Sequence, residues 1–554
     1  MSPSVNRRAG TLAVLCAMSL MIVLDSTIVA VAVPDIQREL GFSAAGVAWV
    51  VNAYLVAFAG LLLLAGRLGD LIGARRVFLA GLALFTAASL LCGFARTAPE
   101  LVAGRFVQGA GGALASAVIL GLIVRLYPSP REQARALGVY SFTQAGGAAI
   151  GFVAGGVLTD AAGWPAIFLI NVPIGLVVWL AGRRLLPVAD APGLRRGLDV
   201  PGAVLITSGL SLGVLAIVRT GTPGAASTAV LAAGGAVLLI AGFLIRQRYA
   251  ASPLIPLRLL TRRWLLSANA AMVFLFATGM GFQFLNALFV QRVMGYDALG
   301  TGLAFVPTPI VIGLVSLFAA ARLTGRFGPR PVLLAGLAVL FGGLLLMARM
   351  PAHPSYWSDM FPPLIVMGLG VGVAIPAIIM LAMAGAAPAD TGLVSGLGNT
   401  SQQAGGALGL AVLAAVAAAR TTAVSSPGRP LVESLRDGYS RGFLVAAAFV
   451  LMSTILTALL LRRLPSPAAD PVGSVLPVLA ADPVVSAVPV ADPVGSAFPV
   501  LAGDPVVSAV PVADPVPAGG RVAASEAASA GSGAGSGIGP AAAGRALTPV
   551  CQEG

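Results

Sequence analysis

The chain has 554 residues, of which 58% are hydrophobic and 10% charged, and its mean hydropathy is +0.94. Soluble domains carry about 25% charged residues, so composition excludes a water-soluble enzyme or binding domain for most of this length. The formal charge of +13 comes from arginine alone, since the chain has no lysine. Its distribution points to membrane topology rather than to a nucleic-acid partner.

Apolar runs of about 18–25 residues, enough to cross a bilayer, recur along the chain. They predict fourteen transmembrane segments at 9–33, 45–65, 77–95, 101–123, 137–158, 166–186, 200–218, 226–245, 265–289, 301–321, 331–348, 361–384, 393–418 and 440–461. A span must satisfy its backbone internally, so these are helices. A β-barrel would show shorter alternating segments. The first run is too long and too polar in its middle for a signal peptide, and it is expected to stay in the mature protein. With the N-terminus in the cytoplasm, 22 arginines before the tail fall on cytoplasmic segments and nine on outer loops. The positive-inside rule then predicts both termini on the cytoplasmic side of the membrane.

The first span contains MIVLDSTIVA, Met21 to Ala30, and so a carboxylate, Asp25. A charge near the middle of a span costs roughly 2.5–3.5 kcal/mol on insertion scales, which makes such a residue a functional candidate. From Asp25 to Val33 is about 12 Å of helix, too far for a short side chain to reach the interface. Ser26 and Thr27 are placed to add hydrogen bonds. Span two carries Asn52 and Tyr54. After it comes GRLGDLIGARR, Gly66 to Arg76, a short basic loop in which Gly66, Gly69 and Gly73 permit a tight turn and Asp70 can cap a helix or pair with an arginine. Span four holds Arg105 inside the membrane, with Gln108 three residues on and so on the same face.

In span five, Gly147, Gly151 and Gly155 are four apart and line one face, where a second backbone can come close; Gly156 follows. Gln283 and Asn286 in span nine, and Asn399, Gln402 and Gln403 in span thirteen, join Tyr54 and Gln108 as candidates to line a substrate cavity. Trp49 and Trp164 read as interface anchors. The loop GRFGPR, Gly325 to Arg330, repeats the character of the loop after span two, which suggests two copies of a six-span unit. The predicted organisation is an N-terminal six-helix half at 1–190, an inserted pair of spans at 191–262, a C-terminal half at 263–463 and a tail at 464–554. In the tail, Asp-Pro-Val units start at Asp470, Asp482, Asp492, Asp504 and Asp514. Regularly placed prolines block helix and sheet, so an extended tail is expected.

Several of these stretches resemble the major facilitator superfamily. GRLGDLIGARR is similar to its signature between spans two and three, with Gly66, Leu68, Asp70, Gly73 and Arg75 matching and Leu71 and Ala74 in place of basic residues. LDSTIVAVAVPDI, LVAGRFVQGAGGA, WPAIFLINVPIG and SGLGNTSQQAGGALG resemble segments of its fourteen-span drug:proton antiporter branch, often called the EmrB/QacA type. The likeness covers roughly residues 10–463. It implies an all-α membrane protein of two six-helix bundles plus two inserted spans, with Asp25 as a proton-binding acid, Arg105 as its membrane arginine, and the Gly66–Arg76 loop as a latch between halves. The span-five signature departs at one place: Phe152 stands where the branch has proline, which predicts a straighter helix.

Proton movement fits the chemistry of a buried carboxylate, because burial disfavours its charged form and a nearby arginine favours it. The expected function is proton-driven export of hydrophobic or amphipathic drugs or antibiotic-like metabolites. No other acid falls clearly within a span, so dications are expected to be poor cargo. Without lysine there is no phosphate-binding loop of the nucleotide-driven kind, and no catalytic or metal cluster is apparent; no cofactor is expected. The alternatives are proton-coupled uptake, and a non-transporting membrane sensor or scaffold.

Overall fold

A computed structural model of the chain describes residues 5–460 apart from 44–45, 128, 189–196, 221–223, 251, 256, 261, 352 and 385–390. The proline-rich tail lies outside the described residues. Among the described residues, fourteen helices have the length and apolarity to cross a bilayer. In order they are Arg7–Leu40, Gly46–Ile72, Ala74–Gly93, Ala98–Leu126, Gly138–Ala162, Pro165–Leu185, Val200–Thr220, Ala226–Tyr249, Arg263–Arg292, Ala298–Phe327, Pro329–Ala348, Tyr356–Met383, Leu393–Val424 and Leu431–Leu460; they are called spans one to fourteen below.

The helices outrun the apolar runs that announce them. Span one continues through Pro34 and Asp35 to Leu40, and span fourteen begins at Leu431, well before the uncharged stretch. Hydropathy marks only the part of a helix that crosses hydrocarbon, and a helix does not stop where its side chains become polar. Successive turns lie at opposite ends of the bundle, so Gly41 marks one end and Gly73 the other. At Gly73 the backbone takes φ +99°, and its N–H closes span two on the Gly69 carbonyl at 3.1 Å. That geometry is open to glycine and strained for other residues.

The packing repeats with an offset of eight spans. Span one lies on span five, two on four, three on four and six, and one on six. Span nine lies on thirteen, ten on twelve, eleven on twelve and fourteen, and nine on fourteen. Small residues set the spacing within each set. A methyl group at Gly111 would stand 2.8 Å from Phe85 Cα, and one at Gly109 would stand 2.9 Å from Tyr54 Cα. Helices in lipid associate through such close packing rather than through a hydrophobic drive. Gly111→Leu is therefore expected to force span three from span four and to destabilise the protein by about 1–3 kcal/mol or more, measured as a lower melting temperature in detergent.

The two sets meet at the Gly41 end. Phe152 of span five stacks on Phe305 of span ten, with ring centroids 4.8 Å apart and 17° between planes. A methyl group at Gly156 would lie 2.6 Å from Leu299 Cα. Asp160 accepts a hydrogen bond from the Leu299 N–H at 2.9 Å, Gln291 donates to the Val31 carbonyl at 2.8 Å, and Arg292 donates to Gln37. Spans two and thirteen also pack on each other across the sets. The expected straightening at Phe152 has a further side: span five is an unbroken helix there, and the aromatic ring serves as a contact between sets.

Spans seven and eight pack against each other, and span seven rests on spans two and thirteen. Asp199, at the entrance to span seven, accepts bonds from Arg246 and Gln247 at the end of span eight and from the Gly202 N–H. Burial alone would raise this carboxyl, but those donors outweigh it and hold it below the usual carboxylate range. A depressed folded value gives stability that is present above the unfolded value of about 3.9 and lost as pH falls through the lower folded value. Backbone hydrogen exchange in spans seven and eight is expected to rise in that acid window, and in Asp199→Asn the rise should disappear.

Candidate functional site

Span four begins with a capping box. Thr97 accepts from the Glu100 N–H, and Glu100 accepts from the Thr97 N–H. From that start two helical turns carry Arg105 inward, where its side chain is 1% exposed. It meets Asp25 of span one, whose side chain is 0% exposed, with Nη1 2.5 Å from Oδ2. Arg105 Nη1 also donates to Gln108 Oε1 at 2.6 Å, and Nε donates to the Val50 carbonyl of span two at 2.8 Å. The guanidinium carbon lies 4.6 Å from the Tyr54 ring centre and 5.7 Å from that of Phe168.

The other carboxylate oxygen is served by amides. Gln108 Nε2 donates to Asp25 Oδ1 at 2.7 Å and to Ser89 Oγ of span three at 2.6 Å. Asn171 Nδ2 of span six lies 3.5 Å from Asp25 Oδ1 and 3.3 Å from Ser89 Oγ. Five spans thus converge on one carboxylate, all their side chains buried. Two unpaired charges would be prohibitive there, but the ion pair with its neutral donors is permitted. Besides Asp25, Arg105 is held by the Val50 carbonyl, the Gln108 oxygen and two aromatic faces.

The sequence brings Asp25, Arg105 and Gln108 into prominence, and the structure places them together. Ser26 and Thr27 are a correction: both hydroxyls bond back to carbonyls of their own helix, at Val23 and Leu24. The expected hydrogen bonds come instead from Gln108 and Asn171. Ser89 and Asn171 escape sequence reading. Asn171 sits within the WPAIFLINVPIG stretch, but only packing of span six on span three reveals its partner.

Tyr54 and Gln108 are buried within this cluster rather than lining an open cavity. Asn286 is also fully buried, and neither end of its amide has a partner. Gln283, Asn399 and Gln402 are half-buried, and Gln402 Nε2 lies 3.5 Å from Met272 Sδ. Ser401 donates to Asn269 at 2.9 Å, a pair of spans thirteen and nine that the sequence did not single out. Trp164 is another correction: it is buried, and it donates to Glu39 at 2.7 Å instead of anchoring at an interface.

In the span-five motif, methyl groups at Gly147, Gly151 and Gly155 would all meet span one: 2.6 Å from Leu20 Cδ1, 3.4 Å from Leu24 Cα and 3.0 Å from Ile28 Cα. Gly156 faces span ten instead. In the loop after span two, Gly66 has open space and Asp70 is exposed. Arg75 donates to the Arg183 carbonyl at the end of span six, so its bond stays within the first six-span set.

A family model described as Major Facilitator Superfamily matches residues 15–410. The chain belongs to the Major Facilitator Superfamily. That membership makes it a membrane transport protein rather than an enzyme, and its fourteen spans fit the drug:proton antiporter type of the superfamily. It is similar to the cephamycin export protein CmcT of Amycolatopsis lactamdurans, at 37% identity over 80% of this chain and 91% of that protein. It is 35% identical to the puromycin resistance protein pur8 of Streptomyces alboniger, over 82% of this chain and 90% of that one. Among solved structures, a bacterial homolog of the human lysosomal transporter Spinster in an inward-facing and occupied conformation aligns with TM-score 0.61 at 16% identity, over 84% of this chain and all of that one. A bacterial homologue of human drug peptide transporters aligns at TM-score 0.58 and 16% identity, over 82% and 98% of the two chains. At that identity these likenesses carry the fold alone.

Proposed function

We propose that the chain is a proton-coupled antiporter that exports antibiotic-like small molecules across the plasma membrane of a bacterium. The observation that carries this reading is the Asp25–Arg105 pair, an ionisable couple without solvent contact inside a transporter. Relatives named for cephamycin export and puromycin resistance support the cargo class.

In this reading, Asp25 in its ionised form ties span one to spans two, four and six through Arg105, Gln108 and Asn171. Protonation removes the charge that holds Arg105 to span one. Arg105 retains the Val50 carbonyl, the Gln108 oxygen and the Tyr54 and Phe168 faces, so the proton frees span one without stranding a bare cation. Span one is the helix on which the span-five glycines pack, and span five carries the contact to span ten. Release of span one thus reaches the junction between the two sets. The arginine-rich Gly73 end faces the cytoplasm, both termini lie there, and the Gly66–Arg76 loop with Asp70 and Arg75 gates that end. The Gly41 end, where Phe152, Asp160 and Gln291 join the two sets, then faces away from the cytoplasm. No nucleotide, metal or nucleic acid takes part.

The test is transport in proteoliposomes under an imposed pH gradient, with puromycin, a cephamycin and the lipophilic cation tetraphenylphosphonium as probes. Accumulation of at least one probe against its gradient, abolished by a protonophore, is the expected result. Transport unaffected by the protonophore, or cargo movement in the same direction as protons, overturns the reading. Because Asp25 is already paired, a dicationic probe is expected to be carried far more slowly than the monocation.

A further inference from the structure

Spans seven and eight are the pair that the eight-span repeat of packing leaves over. Span seven lies along spans two and thirteen, one from each six-span set. Its two contacts differ in kind. Against span two the backbones come together: a methyl group at Gly60 would stand 2.9 Å from Thr207 Cα and nearer still to Thr207 Oγ1. Thr207 is therefore seated in a notch that only glycine leaves open. Against span thirteen the contact is looser: a methyl group at Gly213 would lie 3.7 Å from Leu408 Cδ2, an ordinary van der Waals distance.

The pair is also fastened to itself at the Gly73 end. Asp199 holds Arg246 and Gln247, and Gln247 Oε1 accepts the Ile255 N–H of the following linker at 3.0 Å. Asp199 and Gln247 are each 2% exposed. The network ties the end of span eight and the linker to the entrance of span seven. Leu254 and Ile255 of the clipped linker then pack with Ala203 and Phe243, beside Leu63 of span two and Leu397 of span thirteen. In lipid no hydrophobic drive presses helices together, so the seat at Gly60 and the clip at Asp199 decide where the pair stays. An interlocked backbone notch cannot slide without separating. A looser side-chain contact can slide, as packed helices do in shear motions.

We propose that the inserted pair rides on span two as a rigid body and slides over span thirteen, covering the seam between the two six-span sets while that seam shifts. The proposal rests on the proposed function above, read as alternating access in which the Gly41 and Gly73 ends open in turn, and its test does not require a known cargo.

Spin labels are placed at Val204 of span seven, Val124 of span four and Phe327 of span ten, all exposed, in pairs, after Cys551→Ser. Pulsed distance measurements are made in nanodiscs at acid and neutral pH and in Asp25→Asn. The Val204–Val124 distribution is expected to stay narrow and unchanged, while Val204–Phe327 shifts together with Val124–Phe327. A shift in Val204–Val124, or a fixed Val204–Phe327 distance, overturns the proposal. If Val124–Phe327 is also fixed throughout, the alternating-access reading falls with it; if Val124–Phe327 moves, only the cover is wrong. A second arm joins span seven to span thirteen by a disulfide in Gly213→Cys/Leu408→Cys. Transport by the oxidised protein is expected to fall at least tenfold and to return with reductant. Failure of the bridge to form, or a wild-type rate once it has formed, contradicts a sliding contact at that place.

Discussion

Asp25→Asn is expected to reduce transport driven by a pH gradient to the level of empty liposomes, while the protein still reaches the membrane at near wild-type abundance. The substitution keeps the shape of the side chain and an oxygen that can accept from Gln108 or Asn171. What it removes is the charge on which Arg105 closes and the group that can bind a proton. Arg105 retains the Val50 carbonyl, Gln108 and the Tyr54 and Phe168 rings, so the helices have reason to stay assembled. Loss of transport without loss of protein separates a coupling acid from a merely structural one. Transport by Asp25→Asn at the wild-type rate would remove Asp25 from the mechanism.

Arg105→Met has the opposite character. It leaves a carboxylate of 0% side-chain exposure without its counter-ion. Removing one partner of a buried pair typically costs about 3–5 kcal/mol, because the other is left as an uncompensated charge. The expected result is a markedly lower melting temperature in detergent together with loss of pH-driven transport. The double variant Asp25→Asn/Arg105→Met should melt above Arg105→Met alone, because it strands no charge. A single variant as stable as wild type, or a double variant no better than the single, contradicts a tightly coupled pair.

Much of the architecture is legible in the sequence because the bilayer imposes it. A span needs a long apolar run, and an acid or arginine inside one is conspicuous against that background, as Asp25 and Arg105 are. The glycines of span five are legible for a similar reason: four-residue spacing puts them on one face, and span one occupies that face in the structure. What the sequence hides is partnership between distant segments. Ser89 and Asn171 are ordinary polar residues until the packing of spans three and six brings them to Asp25. Phe152 reads as a lost proline, and its role opposite Phe305 depends on a helix 153 residues away. Helix ends are hidden too, since charged turns such as Leu431 to Arg441 continue a helix beyond the apolar run. Ser26 and Thr27 mislead because their hydroxyls donate to carbonyls one turn earlier in their own helix.

The measurement that bears most directly on the central claim is the infrared pH-difference spectrum of the purified protein in lipid, wild type against Asp25→Asn. A buried carboxyl that takes up and gives back a proton contributes a protonated C=O stretching band that appears on acidification and reverses on return. The account predicts such a band in the wild type and its loss in Asp25→Asn, with the remaining carboxyl bands unchanged. Identical difference spectra from the two proteins would mean that Asp25 does not exchange a proton, and the proposed coupling would have to be abandoned.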